Sequence, residues 1–300
     1  MKKTPILVLI DIQNGFAKDG LTAQEGGSLY VPEGEVVAPL AADLIRDMRG
    51  GIVILSQDYH PADHASFAAN HKGKAIFDKL PLARQPDGTY APAKEGETVA
   101  LEQDLWPDHC VQGTKSCLFS DEVMAALPSE LVIKLVDHTS DPVLKGIDER
   151  GNRFFVIRKG MRSDLDSYGI ATENDQLSKT QAPQVFDAIA RVLKAEGTQQ
   201  AVIGIGGLAT NFCVEFSCRD MARDLVPALA EGGIGSKLLL LTDLSRGVPI
   251  PVADGSWPDL AAAPERMKAD GAQITTSDSF RRELVTGRDI KPEPFAKRVG

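Results

Sequence analysis

The sequence predicts an α/β fold: a single doubly wound parallel β-sheet with helices on both faces. Short apolar runs rich in Val, Ile and Leu alternate along the chain with segments whose apolar residues recur at helical spacing. The first run, from Thr4 to Ile12, is almost continuously apolar, which is typical of a strand buried on both faces of a sheet. Strands and helices that alternate in this way are joined by right-handed crossovers, which make the strands parallel.

The other elements follow from the same two patterns. In the first predicted helix, 36–48, the residues Val37, Leu44 and Met48 fall at helical spacing, and Gly50 favours the end of that helix. Further strands are predicted at 52–56, 154–157, 201–205, 238–241 and 272–275. Further helices are predicted near 184–195, 211–223 and 260–270.

Two stretches interrupt this alternation. Residues 72–104 are rich in Lys, Pro, Gly and Asp and are predicted to form a long surface excursion. Residues 118–152 are too long for a simple crossover and are predicted to be an insertion, with a helix-like piece at 121–127 and a strand-like piece at 131–136. The residues from about 279–300 are predicted to add a C-terminal tail.

Size and charge limit the possible functions. The chain of 300 residues and 32.2 kDa is expected to form one domain over 1–300 with a sizeable core. Lys and Arg total 33 against 42 Asp and Glu, and the resulting net charge of −9 disfavours binding to nucleic acid or to an anionic membrane. The apolar runs are too short to span a bilayer. Four cysteines with no recognisable export signal indicate reduced thiols in the cytoplasm.

Three candidate catalytic residues follow predicted strands, where ligands bind in this kind of sheet. Asp11 ends the first strand, Lys159 ends the third, and Cys213 lies in the first turn of the helix that follows the fourth. Backbone N–H groups at a helix start can stabilise a thiolate and can hold an oxyanion. Each residue also has an ordinary structural explanation: a carboxylate that caps a turn, a solvated lysine, or a buried apolar cysteine.

A candidate metal site follows the second strand. Asp58 and His60 are two residues apart, so on an extended chain their side chains point the same way. His64 and His71 follow, and three of the five histidines therefore lie within twelve residues. A carboxylate with imidazoles suits a divalent metal such as zinc, iron or manganese, and His109 is a candidate third ligand. The alternative is a polar loop whose histidines bond to the backbone.

A nucleotide-binding function is a weak rival. Gly204, Gly206 and Ala209 match the dinucleotide-binding pattern GxGxxA after a strand. That pattern usually opens the fold, however, and here it follows about two-thirds of the chain. Asp224, twenty residues on, would lie late in the helix rather than at the end of the next strand.

Taken together, the motifs resemble the isochorismatase-like cysteine hydrolases, and among them the nicotinamidase (pyrazinamidase) branch. The resemblance runs from Ile6 to about Asp278 and rests on the segments 11–16, 30–34, 57–67, 106–111, 159–160, 207–214 and 242–243. The segments 57–67 and 106–111, which carry the candidate metal ligands, mark the nicotinamidase branch. The insertion lengthens the usual separation between His109 and Lys159.

The resemblance implies an amidase that converts nicotinamide and water to nicotinate and ammonia, and pyrazinamide in the same way. Cys213 would be the nucleophile, Asp11 would transfer its proton, and Lys159 would keep Asp11 ionised. The oxyanion would bind backbone N–H groups of Ala209 and Cys213, with a cis peptide bond between Leu208 and Ala209.

The resemblance also implies one divalent metal ion, zinc in the first instance, held by Asp58, His60 and His109. The ring nitrogen of the substrate would bind this ion, while Phe16 and Trp106 would pack on either side of the ring. His64 is either a further ligand or a residue that supports the ligands, and a homo-oligomer is possible. Two other classes stay open: an amidase for another amide or carbamoyl substrate, and a binding module without catalysis.

Overall fold

The computed structural model describes residues 1–249 and 260–286, and its central feature is a mostly parallel sheet flanked by helices. The strands within the described residues are β1 (Lys3–Ile10), β2 (Ile52–Asp58), β3 (Lys79–Arg84), β4 (Tyr90–Pro92), β5 (Leu101–Asp104), β6 (Val143–Ile147), β7 (Arg153–Lys159), β8 (Gln200–Leu208), β9 (Gly235–Arg246) and β10 (Gln273–Thr275). The helices are α1 (Asn14–Ala17), α2 (Val37–Asp47), α3 (Asp121–Met124), α4 (Ser129–Val136), α5 (Ala182–Ala195), α6 (Glu215–Asp220), α7 (Val226–Glu231), α8 (Ala263–Ala269) and α9 (Ser277–Thr286).

The central sheet has the order β10-β9-β8-β1-β2-β7-β6. The chain moves from β1 to β2 in one direction, and from β7 back through β8, β9 and β10 in the other, so right-handed crossovers place helices on both faces. β1 lies between β2 and β8, where the strand order reverses. The predicted doubly wound fold is therefore confirmed, and the carboxyl end of β1 lies at the point where ligands bind in such sheets.

The apolar residues that predicted the strands form the core. Ile6 to Ile10 of β1 are fully buried, and every residue of β2 is buried, because both strands are covered on both faces. Helix α2 buries Val37, Leu44 and Ile45 against the sheet. Among the described residues no helix has the length and apolar character needed to cross a membrane.

The structure corrects the prediction for the insertion. Residues 131–136 are not a strand: they belong to helix α4, where Leu131 and Leu135 are buried while Ile133 and Val136 are exposed. This spacing of four residues is helical, and the high content of β-branched residues concealed it. The end of the insertion forms β6, which pairs antiparallel with β7, so the sheet is not wholly parallel.

The surface excursion at 72–104 is more ordered than predicted. It contains β3, β4 and β5, which form a small antiparallel sheet in the order β4-β3-β5. Leu82, Tyr90 and Leu105 belong to a separate apolar cluster under this sheet. The excursion thus has its own small core, which its many charged and turn residues did not indicate.

The described part of the predicted C-terminal tail is helical and packs on the sheet. The residues up to Thr286 belong to helix α9, and Phe280 of this helix is fully buried. A Cβ atom on Gly204 of β8 would lie 3.0 Å from the ring of Phe280, so the helix packs closely on the sheet. Asp243 at the end of β9 accepts the backbone N–H of Ser277 at 2.8 Å and so anchors the start of α9. The remainder of the predicted tail, 287–300, lies outside the described residues.

Candidate active site

Asp11 lies directly beyond β1 and is completely buried. Its backbone has φ of +47°, in the left-handed region, which turns the chain sharply at the end of the strand. Ser56 of the neighbouring β2 donates its hydroxyl to Asp11 Oδ1 at 2.6 Å, and Asp11 N–H donates to Ser56 Oγ at 3.1 Å. The carboxylate is thus held in one orientation, with Oδ2 directed to other partners.

Lys159 connects the acidic groups of the site. As the last residue of β7 it is paired in register with Asp58, the last residue of β2. Its ammonium nitrogen lies 2.9 Å from Asp11 Oδ2, 2.9 Å from Asp58 Oδ1 and 2.9 Å from the carbonyl oxygen of Ser167. An ammonium has three hydrogens, and three oxygens surround this one. Burial alone would lower the pKa of Lys159, but the two carboxylates outweigh it and raise that pKa well above its usual value.

Cys213 lies beside this lysine. It belongs to a wide helical turn over Thr210–Val214 that opens the helix after β8, and its Sγ is 3.5 Å from Lys159 Nζ. Burial raises the pKa of the Cys213 thiol well above its usual value, although Lys159 opposes this effect. The sequence alone favoured a thiolate stabilised by the helix start. In the folded chain burial opposes the thiolate, so attack by this sulfur would call for an adjacent base to accept the proton.

Asp11 is placed to be that base. The Lys159 ammonium lies 2.9 Å from Asp11 Oδ2 and 3.5 Å from Cys213 Sγ, so the carboxylate and the thiol meet at the same cation. Burial raises the pKa of Asp11 above the usual value for a carboxyl group, and Lys159 opposes this increase. A buried carboxylate with a raised pKa accepts a proton more readily than an exposed one, while the lysine keeps it ionised.

The three predicted metal ligands converge at the edge of the same site. Asp58 Oδ2 lies 3.1 Å from His60 Nε2 and 3.7 Å from His109 Nε2. Each imidazole is oriented by its other nitrogen: His60 Nδ1 is 3.0 Å from the carbonyl of Gly160, and His109 Nδ1 is 2.8 Å from that of Pro107. These contacts select the tautomer in which Nε2 carries a lone pair, as a metal ligand requires.

The residues present fit a divalent cation. His60 Nε2 and His64 Nε2 are buried and make no hydrogen bond within the described part of the chain; His60 Nε2 faces Asp58 Oδ2 at 3.1 Å without hydrogen-bond geometry. The ligand atoms of Asp58, His60 and His109 all lie within 4.8 Å of one another. One carboxylate and neutral imidazoles are the usual donors for zinc, iron or manganese. The orphaned nitrogens therefore have a chemical explanation that a purely structural polar cluster would lack.

The two other histidines of the 57–71 segment differ from each other. His64 Nδ1 is 2.7 Å from Ser66 Oγ, and His64 joins His60 and Asp166 in a second group of possible ligands. His71 contacts the carbonyl of Ala65 through Nε2 at 2.8 Å and belongs to neither group. The segment therefore combines two histidines from candidate metal-ligand groups with one, His71, that bonds to the backbone.

A pocket opens between the predicted metal ligands Asp58 and His109 and the cysteine Cys213. Its lining includes four of the predicted site residues: Phe16, Trp106, Ala209 and Cys213. Leu208 does not line the pocket, because its side chain is fully buried in the core. The peptide bond between Leu208 and Ala209 is cis, as the family resemblance predicted.

Sequence reasoning missed several residues of this pocket. Asp166, Tyr168 and Phe212 line it, and the carbonyl of Ser167 binds Lys159. Trp106 Nε1 lies 3.2 Å from Tyr168 Oη, which fixes the indole at the pocket wall. Asp166, Ser167 and Tyr168 could have been identified from their place in the sequence, because they follow shortly after the end of β7, where ligands bind in this kind of sheet.

Gln13 holds the backbone of Asp58, one of the predicted metal ligands. Its carboxamide accepts the N–H of Asp58 at 2.8 Å and donates to the carbonyl of the same residue at 2.8 Å. It also donates to the carbonyl of Cys117 at 2.8 Å. Gln13 therefore connects the turn after β1 to the end of β2.

The structure argues against the dinucleotide-binding interpretation. Gly204 and Gly206 lie inside β8 rather than in a turn after it. A Cβ atom on Gly206 would lie 2.9 Å from Leu244, and one on Gly207, whose φ is +135°, would lie 2.0 Å from the carbonyl oxygen of Ile10. These glycines allow neighbouring elements to approach closely, and they do not form a phosphate-binding loop.

The chain is similar to known nicotinamidases. A nicotinamidase from Acinetobacter baylyi is 30% identical over 217 residues, which cover 72% of this chain and 74% of the relative. A nicotinamidase from Escherichia coli is 29% identical over 276 residues, covering 90% and 93%. No family model matches the chain.

Solved structures agree with these relatives. The Acinetobacter baumannii nicotinamidase/pyrazinamidase structure aligns with a TM-score of 0.58 and 26% identity over 92% of this chain and 98% of its own. The yeast nicotinamidase bound to nicotinaldehyde aligns with a TM-score of 0.59 and 22% identity over 91% and 100%, which supports the fold. The chain therefore belongs to the nicotinamidase family and is an enzyme that hydrolyses an amide C–N bond.

Proposed function

We propose that this enzyme converts nicotinamide and water to nicotinate and ammonia through a thioester on Cys213, and that it also accepts pyrazinamide. The observation that carries the proposal is the position of Lys159. Its ammonium group contacts Asp11 and Asp58 at 2.9 Å and Cys213 at 3.5 Å, so one cation joins the proton-transfer pair to the metal-ligand group. The names of the relatives supply the substrate.

The first half of the reaction forms the thioester. The Asp11 carboxylate takes the proton of the Cys213 thiol as Sγ attacks the carboxamide carbon, and the electrons of the C=O bond move to oxygen. Asp11 then gives that proton to the amide nitrogen. The C–N bond breaks, ammonia leaves, and the acyl group remains on sulfur. Lys159 stabilises the ionised carboxylate before and after each transfer.

The second half releases the acid. Asp11 takes a proton from a water molecule that attacks the thioester carbon, the C–S bond breaks, and Asp11 returns the proton to sulfur. Backbone N–H groups of Ala209 and Cys213 bind the oxyanion in both halves. Both residues line the pocket, which supports this assignment of the oxyanion site.

Asp58, His60 and His109 hold one divalent ion, with zinc proposed first and iron or manganese as alternatives. When bound, the ion supplies a Lewis acid for the pyridine nitrogen and so orients the carboxamide over Cys213. Phe16 and Trp106 pack against the ring. Such anchoring explains why an enzyme with a cysteine nucleophile needs a metal at all.

The product is a pyridine carboxylate, so we assign the enzyme to pyridine nucleotide salvage. The four cysteines are buried free thiols, and this supports a location in the reducing cytoplasm.

The deciding experiment is an ammonia-release assay on the purified protein, together with metal analysis of the same sample. We expect turnover of nicotinamide and of pyrazinamide and about one bound divalent ion per chain. Benzamide, which lacks the ring nitrogen, should be a poor substrate. Equal turnover of benzamide and nicotinamide would exclude the metal-anchored geometry. If neither nicotinamide nor pyrazinamide releases ammonia, the proposed reaction is wrong.

A further inference from the structure

Asn211 makes a two-point contact with the backbone of a pocket residue. It precedes Cys213 by two residues in the same helical turn and is 1% exposed. Its Nδ2 donates to the carbonyl of Val248 at 3.0 Å, and the N–H of Val248 donates to its Oδ1 at 3.1 Å. Val248 lines the pocket beside Cys213.

This contact requires a carboxamide. An amide side chain offers a donor and an acceptor side by side, whereas a carboxylate only accepts and an aliphatic side chain does neither. The main chain also lies unusually close: a Cβ atom on Gly247 would be 2.9 Å from Asn211 Oδ1 and 2.1 Å from a methyl group of Leu260. The segment that carries Val248 is thus held from two sides.

We propose that Asn211 is a positioning residue that fixes Val248 as a wall of the pocket and thereby determines which ring sizes reach Cys213. The proposal rests on the proposed amidase function. Because nucleophile and clamp occupy one helical turn, the Asn211 carboxamide ties the position of the Val248 backbone directly to the turn that carries the sulfur. A wall held in this way limits the width available to an aromatic amide.

The test compares Asn211→Asp with the unmodified enzyme on two amides. Quinoline-3-carboxamide keeps the ring nitrogen and the carboxamide of nicotinamide and adds a fused ring. The substitution removes a donor and leaves the carbonyl of Val248 unpaired, so we expect KM for nicotinamide to rise roughly tenfold with little change in kcat. The preference for nicotinamide over the larger amide, as a ratio of kcat/KM, should fall about tenfold.

Asn152→Asp is the matched control. Asn152 is fully buried, accepts the N–H of Gly51 at 3.0 Å and donates to the carbonyl of Met48 at 3.0 Å, so it makes the same kind of backbone contact. It lies at the opposite end of β2 from the pocket. We expect Asn152→Asp to lower Tm without changing KM or substrate preference. If Asn211→Asp lowers only Tm and leaves KM and preference unchanged, the positioning role is wrong.

A second measurement separates this proposal from the proposed reaction. Mass spectrometry can follow alkylation of Cys213 by iodoacetamide and by the bulkier N-phenyl iodoacetamide, which needs no amidase activity. In Asn211→Asp the wall is no longer fixed, so we expect the alkylation rate with iodoacetamide, divided by the rate with N-phenyl iodoacetamide, to fall. An unchanged ratio would overturn the proposal. Should Asn211→Asp fail to fold, Gly247→Ala displaces the same wall and must give the same pattern. An enzyme inactive on nicotinamide would overturn the reaction, while the alkylation ratio would still decide the role of Asn211.

Discussion

Lys159 Nζ lies 2.9 Å from Asp11 Oδ2, and both side chains are completely buried. Two charges removed from water in this way are held by mutual attraction and by hydrogen bonds. The loss of Lys159 leaves the Asp11 carboxylate without its cation, whereas the loss of Asp11 leaves Lys159 paired with Asp58 alone. In this site the uncompensated group would be part of the proton-transfer chemistry. Under the proposed mechanism, stability and activity would therefore depend on the same contact.

The first prediction concerns this pair. We expect Asp11→Asn and Lys159→Met each to lower kcat/KM by roughly a thousandfold or more, since each removes part of one proton-transfer unit. The double variant should be little worse than either single variant. Steady-state kinetics on all three variants is the measurement, and fully additive losses would show that the two residues act in separate steps.

A control for this prediction is Lys3→Met. Lys3 Nζ lies 3.0 Å from the buried Glu283 Oε2, at the opposite end of the sheet from the site. Its loss should lower the free energy of unfolding while kcat/KM stays at the level of the unmodified enzyme.

The second prediction concerns the two cysteines of the helix after β8. Cys213→Ala should abolish ammonia release and keep the fold, because alanine suits the start of a helix. Cys218 is fully buried, and burial raises the pKa of its thiol to about 12, so Cys218→Ala should remain active. The assay is ammonia release with circular dichroism as the check on folding. More than trace activity in Cys213→Ala would contradict the nucleophile assignment.

The third prediction separates metal binding from thiol chemistry. We expect His60→Ala to lose the bound ion and nicotinamide turnover, while His71→Ala, which removes only a contact to the carbonyl of Ala65, keeps both. Alkylation of Cys213 should proceed at a similar rate in chelated and untreated enzyme, because the proton acceptor Asp11 is not a metal ligand. Metal content by mass spectrometry and the rate of alkylation are the two measurements.

Two results would contradict this separation. A metal-free enzyme with an unreactive Cys213 would show that the ion holds the whole site together. A metal-free enzyme with full nicotinamide turnover would show that Asp58, His60 and His109 take no part in substrate binding. His64→Ala tests the remaining question directly, since loss of the ion in that variant would make His64 a ligand.

The fourth prediction concerns the pH dependence of stability. Burial raises the pKa of Glu173 from 4.5 to about 7, and its ion pair with Arg162 at 3.3 Å opposes this only in part. Between these two values the folded chain binds a proton that the unfolded chain has released. The protonated carboxyl group of Glu173 therefore stabilises the folded chain fully below pH 4.5. This contribution to the free energy of unfolding is lost as the pH rises through about 7.

The measurement is chemical unfolding of Glu173→Gln and of the unmodified protein at pH 5 and at pH 8. The unmodified protein should lose about 1 to 2 kcal/mol more than the variant between these conditions, a figure reduced for the partial solvent exposure of the group. Parallel pH profiles for the two proteins would show that Glu173 does not titrate in this range.

Much of the site could be predicted because its residues follow the apolar runs that become strands. Asp58 and Lys159 end β2 and β7, and Asp11 directly follows β1; adjacent parallel strands bring these ends to one edge of the sheet. Alternation of strands and helices is a local property of the sequence, so the sheet and the approximate place of the site followed from it. The preference of a carboxylate with imidazoles for a divalent metal such as zinc likewise follows from the residue types alone.

Packing between distant segments decided the rest. Helix α4 was predicted as a strand because its short apolar run fits both periods, and only the burial of Leu131 and Leu135 distinguishes them. The contact of Asn211 with Val248 joins residues 37 positions apart, and no local pattern encodes it. The charge state of Cys213 also depends on the tertiary structure, because a helix start favours a thiolate whereas burial opposes it. Local sequence thus determined which groups stand at the strand ends, while long-range packing determined their solvent exposure, and hence their protonation and their partners.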